Sequence, residues 1–226
     1  MTDVITEEDI IQLILGLKGF EQRKSTLQLA LATARFCCNY DKEGDLPARF
    51  AFRQNTIDSI KNGEPCIRNT DEGDIFISLM LYLNCLEQIG DLFCPKDNNA
   101  DNNGIMKAIR TFSKDNLSEK EIEAIKCLRH ALSHNFGLVR SKCSPFHKFS
   151  IAYQNSDSHI IQLPQIPWNK DYSDKSERSN TKISAFGVII MAEQIIDNVI
   201  KEYKQGKLML SLPRERVLSE FTICLK

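Results

Sequence analysis

The sequence predicts a mainly α-helical protein, a helical bundle with a β-hairpin added before its last long helix. Two observations predict the helices: apolar residues recur at helical spacing, and several of these segments begin at capping residues. The hairpin is predicted because the apolar pattern later changes to strict alternation. With 226 residues, 42% of them hydrophobic, the chain is expected to form one domain over residues 1–226.

Two helices are predicted near the start of the chain. Thr6 is a suitable N-cap for a short helix that stops near Gly19, since acidic residues follow it in the first turn. A second helix is predicted over residues 25–38, and Pro47 is a favoured first position for a third. The second helix has a single apolar stripe, formed by Leu27, Leu31, Ala34 and Cys38.

The most apolar helix is predicted over residues 74–93, and its wide apolar face indicates the centre of the bundle. A polar, turn-rich run at residues 95–104 predicts a loop after it. The next helix is predicted to begin at Ser118, because Ser118 and Glu121 form the S-x-x-E pattern of a capping box. Gly137 is predicted to end that helix.

A β-hairpin is predicted over residues 148–163, where Phe149, Ile151 and Tyr153 alternate with other residues before a polar turn and Ile160, Ile161 and Leu163 follow it. A linker with two prolines then leads to residue 180, and a long helix is predicted over residues 182–203. The bundle core is therefore expected over about residues 25–204. Residues 205–226 are expected to form a C-terminal tail.

Charge and hydropathy narrow the class of protein. The formal net charge is −1 and the pI is about 6.4, so a surface for nucleic acid or anionic lipid must be local. No basic segment precedes an apolar core at the N-terminus, and apolar runs are shorter than the roughly 18 to 20 residues of a membrane helix. A cytoplasmic protein without a membrane partner is expected. Its 8 cysteines lack a Cys-x2-Cys pair and are expected to be reduced and mostly buried.

Residues 129–134 read Arg-His-Ala-Leu-Ser-His, with an arginine and a histidine five positions apart near the end of a predicted helix. This segment resembles the Arg-x4-6-His motif of HEPN domains, with Arg129, His130 in the polar second position, and His134. The predicted element order over residues 25–204 also resembles one bacterial branch of that superfamily. The resemblance implies a helical bundle that cleaves RNA without a metal, as in toxin–antitoxin, antiviral and RNA-processing systems.

The two motif residues suit RNA cleavage. His134 is predicted to be the general acid or base, since a histidine has an ordinary pKa of about 6.5. Arg129 is predicted to stabilise negative charge on the scissile phosphate. Glu87 or Asp91 of the central helix is the candidate partner that pairs with Arg129 and orients it. No glycine-rich phosphate loop occurs, and no cofactor is expected.

His130 and His134 also share a helical face, as zinc-binding histidines do. The residues between them lack the glutamate of H-E-x-x-H, and a third ligand would have to be Cys127, Cys143 or His147. A structural or substrate-positioning role for His130 is therefore favoured over a metal site.

A local positive charge surrounds the motif. No acidic residue occurs between Glu123 and Asp157. In a nearly neutral chain, such a segment favours binding of RNA phosphates, although a solvated run without a ligand has the same composition. The candidate substrate-binding residues are Lys126, His130, Arg140 and Lys142, and the segment also contains Lys148 and His147.

The leading functional hypothesis is a metal-independent endoribonuclease of the kind found in toxins and phage-defence effectors. The alternative is a non-catalytic HEPN module that binds RNA, a nucleotide or a partner protein. Each chain has one motif copy, and in-line cleavage benefits from both an acid and a base. A homodimer with two motifs facing one cleft is therefore expected, and a toxin would also bind an antitoxin.

Overall fold

The computed structural model describes residues 5–19, 23–38, 40–41, 66–67, 72–96, 104–142, 144–153 and 159–224. The predicted helix start at Pro47 and most of the predicted loop at 95–104 lie outside these residues. The described part is mainly α-helical, as predicted. Its α-helices are α1 (Glu7–Ile14), α2 (Thr26–Cys38), α3 (Glu72–Leu92), α4 (Gly104–Phe112), α5 (Glu119–Asn135), α6 (Ala185–Lys204) and α7 (Arg214–Glu220).

Helix α3 is the centre of the bundle, as its apolar face predicted. It packs against α2, α4, α5 and α6. The segment Gly73–Leu92 is long and apolar enough to cross a membrane by length and composition, but 56% of its apolar window is buried inside the fold. Its apolar character is explained by this central position, because residues such as Tyr82 and Leu86 are completely buried among the other helices.

Helices α1 and α5 both end at a different residue from the one predicted, and in each a residue with a left-handed backbone follows the helix. Helix α1 ends at Ile14 rather than near Gly19, because Gly16 adopts a left-handed conformation with φ of +71°. Helix α5 begins at the predicted capping box, in which the Ser118 backbone N–H donates to the Glu121 carboxylate. Its left-handed C-terminal residue is Phe136, with φ of 48°, and not Gly137.

Helix α4 was not predicted. It begins at Gly104, the last residue of the run that the sequence marks as a loop, and it spans only nine residues. Its N-terminus lies against α3 at unusually short range: a Cβ on Gly90 would be 1.7 Å from the carbonyl oxygen of Gly104. Glycine at both positions therefore permits a backbone contact that a helical pattern does not indicate.

The predicted antiparallel hairpin over residues 148–163 is wrong in its pairing. The sheet in this region has four strands: β5 (Val139–Arg140), β6 (His147–Ala152), β7 (Ile161–Gln162) and β8 (Asn180–Ser184). Strands β6 and β7 lie near the two ends of the predicted hairpin, but β8 lies between them in the order β5-β6-β8-β7. Ile183 of β8 is opposite Ile151 in a parallel ladder and opposite Ile161 in an antiparallel one. The sequence pattern identified strands but not their partners.

The last long helix therefore begins later than predicted. Residues 180–184 form β8, and the Ser184 hydroxyl accepts a hydrogen bond from the backbone N–H of Gly187 at 3.0 Å as the N-cap of α6. The predicted turn of the hairpin, at residues 155–158, lies outside the described residues.

Three short antiparallel pairs connect distant parts of the chain. Two of them, β1–β10 and β4–β9, hold the predicted tail against the bundle. The strands are β1 (Arg23–Ser25), β2 (Tyr40–Asp41), β3 (Cys66–Ile67), β4 (Phe93–Pro95), β9 (Leu208–Leu210) and β10 (Thr222–Cys224), with β2 paired to β3.

A buried ion pair connects three helices of the bundle. Glu193 of α6 is only 2% exposed, and both of its carboxylate oxygens accept hydrogen bonds from the Arg35 guanidinium of α2 at 2.7 Å. The Tyr82 hydroxyl of α3 donates to the same carboxylate at 2.5 Å. A carboxyl group buried at this depth would destabilise the fold without these hydrogen-bond partners.

Candidate functional site

The predicted motif lies in the last two turns of α5. The apolar side of this helix packs into the core through Ile125, Leu128 and Leu132, so the opposite side faces solvent. His130 and His134 are exposed on that side. Being four residues apart they share a face, and their ring centroids are 4.3 Å apart with the planes tilted by 54°.

The two imidazoles line a pocket of about 420 Å³. The pocket forms where α5 ends at Phe136 and the chain turns back into β5. Its charged and titratable lining residues, within the described part of the chain, are all basic. The lining residues are His130, Ala131, His134, Val139, Arg140, Ser141 and Lys142.

Arg140 contributes an unsatisfied donor to this region. It lies in β5 opposite His147 of β6. Its Nε is buried and has no hydrogen-bond partner among the described residues. Buried donors normally have a partner, so the described fold leaves this nitrogen unsatisfied beside the pocket that Arg140 lines.

Arg129 faces α3 rather than the pocket. Its Nε forms an ion pair with the Glu87 carboxylate, and both side chains are 24% exposed. Glu87, one of the two partners predicted for Arg129, is thereby confirmed. Burial raises the pKa of Glu87, the charge on Arg129 opposes that rise, and Asp91 adds to it.

His134 lies within electrostatic range of this ion pair. The charge on His134 lowers the pKa of Glu87, as that of Arg129 does. The charged groups therefore form a continuous series from Glu87 through Arg129 to His134 and the pocket. Such a series can set the electrostatic field in the pocket before a phosphate binds there.

The environment of His130 disfavours its charged form. Burial is the largest influence that lowers the pKa of His130, and four positive groups lower it further. A neutral imidazole has one nitrogen available as a proton acceptor. The four groups, in decreasing order of influence, are His134, Arg140, Arg129 and Lys126.

Two residues of the predicted basic segment serve the sheet and linker instead. The Lys148 ammonium donates to the backbone carbonyl of Asp174 at 2.7 Å and lies 3.3 Å from its carboxylate. His147 is buried, with Nδ1 2.9 Å from the Thr181 hydroxyl. Lys126 does not line the pocket, but its positive charge lowers the pKa of the lining residue His130.

The sequence did not indicate three residues at this site: Ser141, Phe136 and Tyr172. Ser141 lines the pocket, and its hydroxyl accepts a hydrogen bond from the Tyr172 hydroxyl at 2.9 Å. Trp168 meets the Tyr172 ring edge-on, with centroids 5.3 Å apart. Two aromatic residues within an otherwise polar linker were the available signal that this segment packs beside the site.

The alternative of a zinc site gains no third ligand from the described residues, among which no group of three suitable side chains occurs. Cys127 is buried in α5, and His147 is in the sheet. Cys143 lies outside the described residues.

Comparisons of this chain with protein-family models, curated proteins and solved structures found no match. The resemblance to HEPN domains is therefore carried by residues 129–134 and the helices around them, because the hairpin that the predicted element order included does not form.

Proposed function

We propose that this chain is a metal-independent endoribonuclease with a HEPN-like bundle. The observation that carries the proposal is the pair of imidazoles of His130 and His134, 4.3 Å apart, at the mouth of a pocket with basic lining. Two adjacent imidazoles beside a pocket with basic lining are suited to proton transfer during phosphodiester cleavage.

The reaction needs only groups of this kind. A base removes the proton of a ribose 2′-hydroxyl, and the oxygen attacks the adjacent phosphorus. The bond from phosphorus to the 5′-oxygen breaks, and an acid protonates the leaving oxygen. A 2′,3′-cyclic phosphate and a 5′-hydroxyl result. His134 serves as one of these two groups.

The cations divide the remaining work. Arg140 and Lys142 line the pocket and bind the phosphate there. Arg129, held by Glu87, supplies a fixed positive charge that stabilises the negative charge of the transition state. Because its position does not depend on substrate, no reorganisation is required when the charge develops.

The second proton-transfer group has two possible sources. One is His130 of the same chain, whose lowered pKa keeps it neutral and able to accept a proton. The other is His134 of a second copy in a homodimer, which the family resemblance favours. A two-fold axis beside the pocket would bring two such pockets together.

The second candidate function is a non-catalytic module that binds RNA or a nucleotide. The ion pair of Arg129 with Glu87 favours this non-catalytic module, because an arginine that is paired with a carboxylate is less available to bind a phosphate. Incubation of pure protein with RNA in EDTA distinguishes the two: cleavage supports the enzyme, and binding without cleavage supports the module.

A further inference from the structure

Phe136 is unusual in two ways. Its backbone is left-handed, with φ of 48° and ψ of 32°, a region that disfavours side chains with a Cβ. Its ring is 68% exposed, although phenylalanine favours burial. The next residue is Gly137, which would occupy a left-handed cap without steric cost. An unfavourable conformation and an unfavourable exposure at one residue indicate a function for its side chain.

Phe136 lies beside the proposed catalytic histidine. Only one residue separates it from His134. Since consecutive Cα atoms are 3.8 Å apart, the Cα atoms of Phe136 and His134 lie within about 7.6 Å. The backbone of Phe136 therefore lies close to the pocket, whose lining includes His134.

Tyr172 presents a second exposed ring next to the pocket. It is 72% exposed, yet its hydroxyl is bonded to the pocket residue Ser141 and its ring contacts Trp168. Trp168 is itself buried and donates through Nε1 to the carbonyl of Asp171 at 3.0 Å. Tyr172 is thus held in position while its ring remains accessible.

We propose that Phe136 and Tyr172 are base-stacking residues that bind an unpaired RNA strand whose phosphate occupies the pocket at Arg140. This inference rests on the proposed function for the identity of the ligand. Bases in a duplex are stacked on one another, whereas the bases of an unpaired strand are free to stack on aromatic rings.

The neighbouring charges favour RNA over protein as the occupant of these rings. Two exposed aromatics among His130, Arg140 and Lys142 match a ligand with alternating bases and phosphates.

The test measures fluorescence anisotropy of a short labelled 2′-O-methyl oligonucleotide, which cannot be cleaved because it has no free 2′-hydroxyl. We expect Phe136→Gly and Tyr172→Ala each to weaken binding of the unpaired strand on the order of tenfold. Tyr172→Phe keeps the ring and its contact with Trp168 but loses the hydrogen bond to Ser141, and it should bind RNA more tightly than Tyr172→Ala. Phe36→Ala removes a phenylalanine that is 58% exposed on α2 and should leave binding unchanged.

Phe136→Gly gives a second readout. Because glycine suits the left-handed cap, this variant should melt at a higher temperature than the parent chain while binding RNA more weakly. A purely structural role for Phe136 predicts a lower melting temperature instead.

Other outcomes overturn the inference separately from the proposed function. If the parent chain cleaves RNA but both aromatic variants bind like it, stacking is wrong and the ribonuclease stands. If both variants lose binding but the parent does not cleave, stacking stands and the ribonuclease is wrong. Equal affinity for a duplex, or loss of self-association in the variants with unchanged binding, overturns stacking.

Discussion

Arg129 of α5 and Glu87 of α3 form an ion pair that joins the motif helix to the central helix of the bundle. The carboxylate is partly desolvated, and its pKa is raised despite the adjacent guanidinium. The pair therefore does more to orient Arg129 than to stabilise the fold, since the cost of desolvation offsets much of the attraction.

Glu87→Gln tests that assignment. It removes the charge but keeps the shape, so we expect a loss of only about 1 kcal/mol in the free energy of unfolding, measured by urea denaturation. Cleavage should fall by more than this loss of stability explains, because Arg129 loses its fixed position. Glu177→Gln, which removes an exposed partner of Lys182, is the matched control. An unchanged cleavage rate in Glu87→Gln would remove the positioning role.

The buried pair of Arg35 and Glu193 is expected to matter for stability instead. Glu193→Gln leaves Arg35 without its counterion, and we expect a loss of roughly 3 kcal/mol in the free energy of unfolding. Tyr82→Phe removes one hydrogen bond to the same carboxylate and should cost about 1 kcal/mol. Neither change should alter the cleavage rate of the folded protein. A loss below about 0.5 kcal/mol for Glu193→Gln would contradict this account.

His147 predicts a pH dependence of stability. Burial lowers its pKa, Glu123 partly opposes this, and Arg140 lowers it further. The unfolded chain therefore binds more protons than the folded one at pH values between the lowered pKa and about 6.5. Stability should fall as the pH decreases through this window.

Urea midpoints measured from about pH 7.5 down to pH 5 check this prediction. His147→Asn removes the titrating group but keeps a polar atom near Thr181, and it should flatten the profile. Urea midpoints at about pH 7.5 give the change in stability caused by His147→Asn that does not depend on protonation. A profile as steep as that of the parent would assign the dependence to another group.

The sequence predicted the elements that depend on neighbouring residues. The capping box at Ser118 and Glu121 is confirmed, as is the buried stripe of α2, because capping and helical periodicity are local properties. An acid of the central helix, Glu87 or Asp91, was predicted to pair with Arg129, and Glu87 does so because the apolar faces of both helices place them in contact.

The features that the sequence did not predict correctly depend mostly on contacts between residues far apart in the chain. No local pattern places Asn180–Ser184 between the two strands that were predicted to pair with each other. The hydrogen bond from Tyr172 to Ser141 joins residues 31 positions apart, so no local sequence pattern could predict it. The left-handed conformation of Phe136 was missed because glycine is the ordinary residue there, and Gly137 follows directly.

The homodimer is a separate prediction. Light scattering across a range of concentrations, with and without a short RNA, should give twice the mass of the 25.8 kDa chain. RNA should strengthen association, because a polyanion offsets the repulsion between two basic pockets. An active monomer in both conditions would rule out a site shared between chains and leave His130 as the second proton-transfer group.

The central claim is tested most directly by cleavage of RNA in EDTA by the parent chain and by His134→Ala. His134 is exposed at the end of α5, so its removal should leave the circular dichroism spectrum and melting temperature nearly unchanged. We expect the parent to produce 2′,3′-cyclic phosphate ends, and His134→Ala to be slower by roughly 10² to 10⁴-fold. Cleavage by His134→Ala at the rate of the parent, or no cleavage by either, would contradict the account.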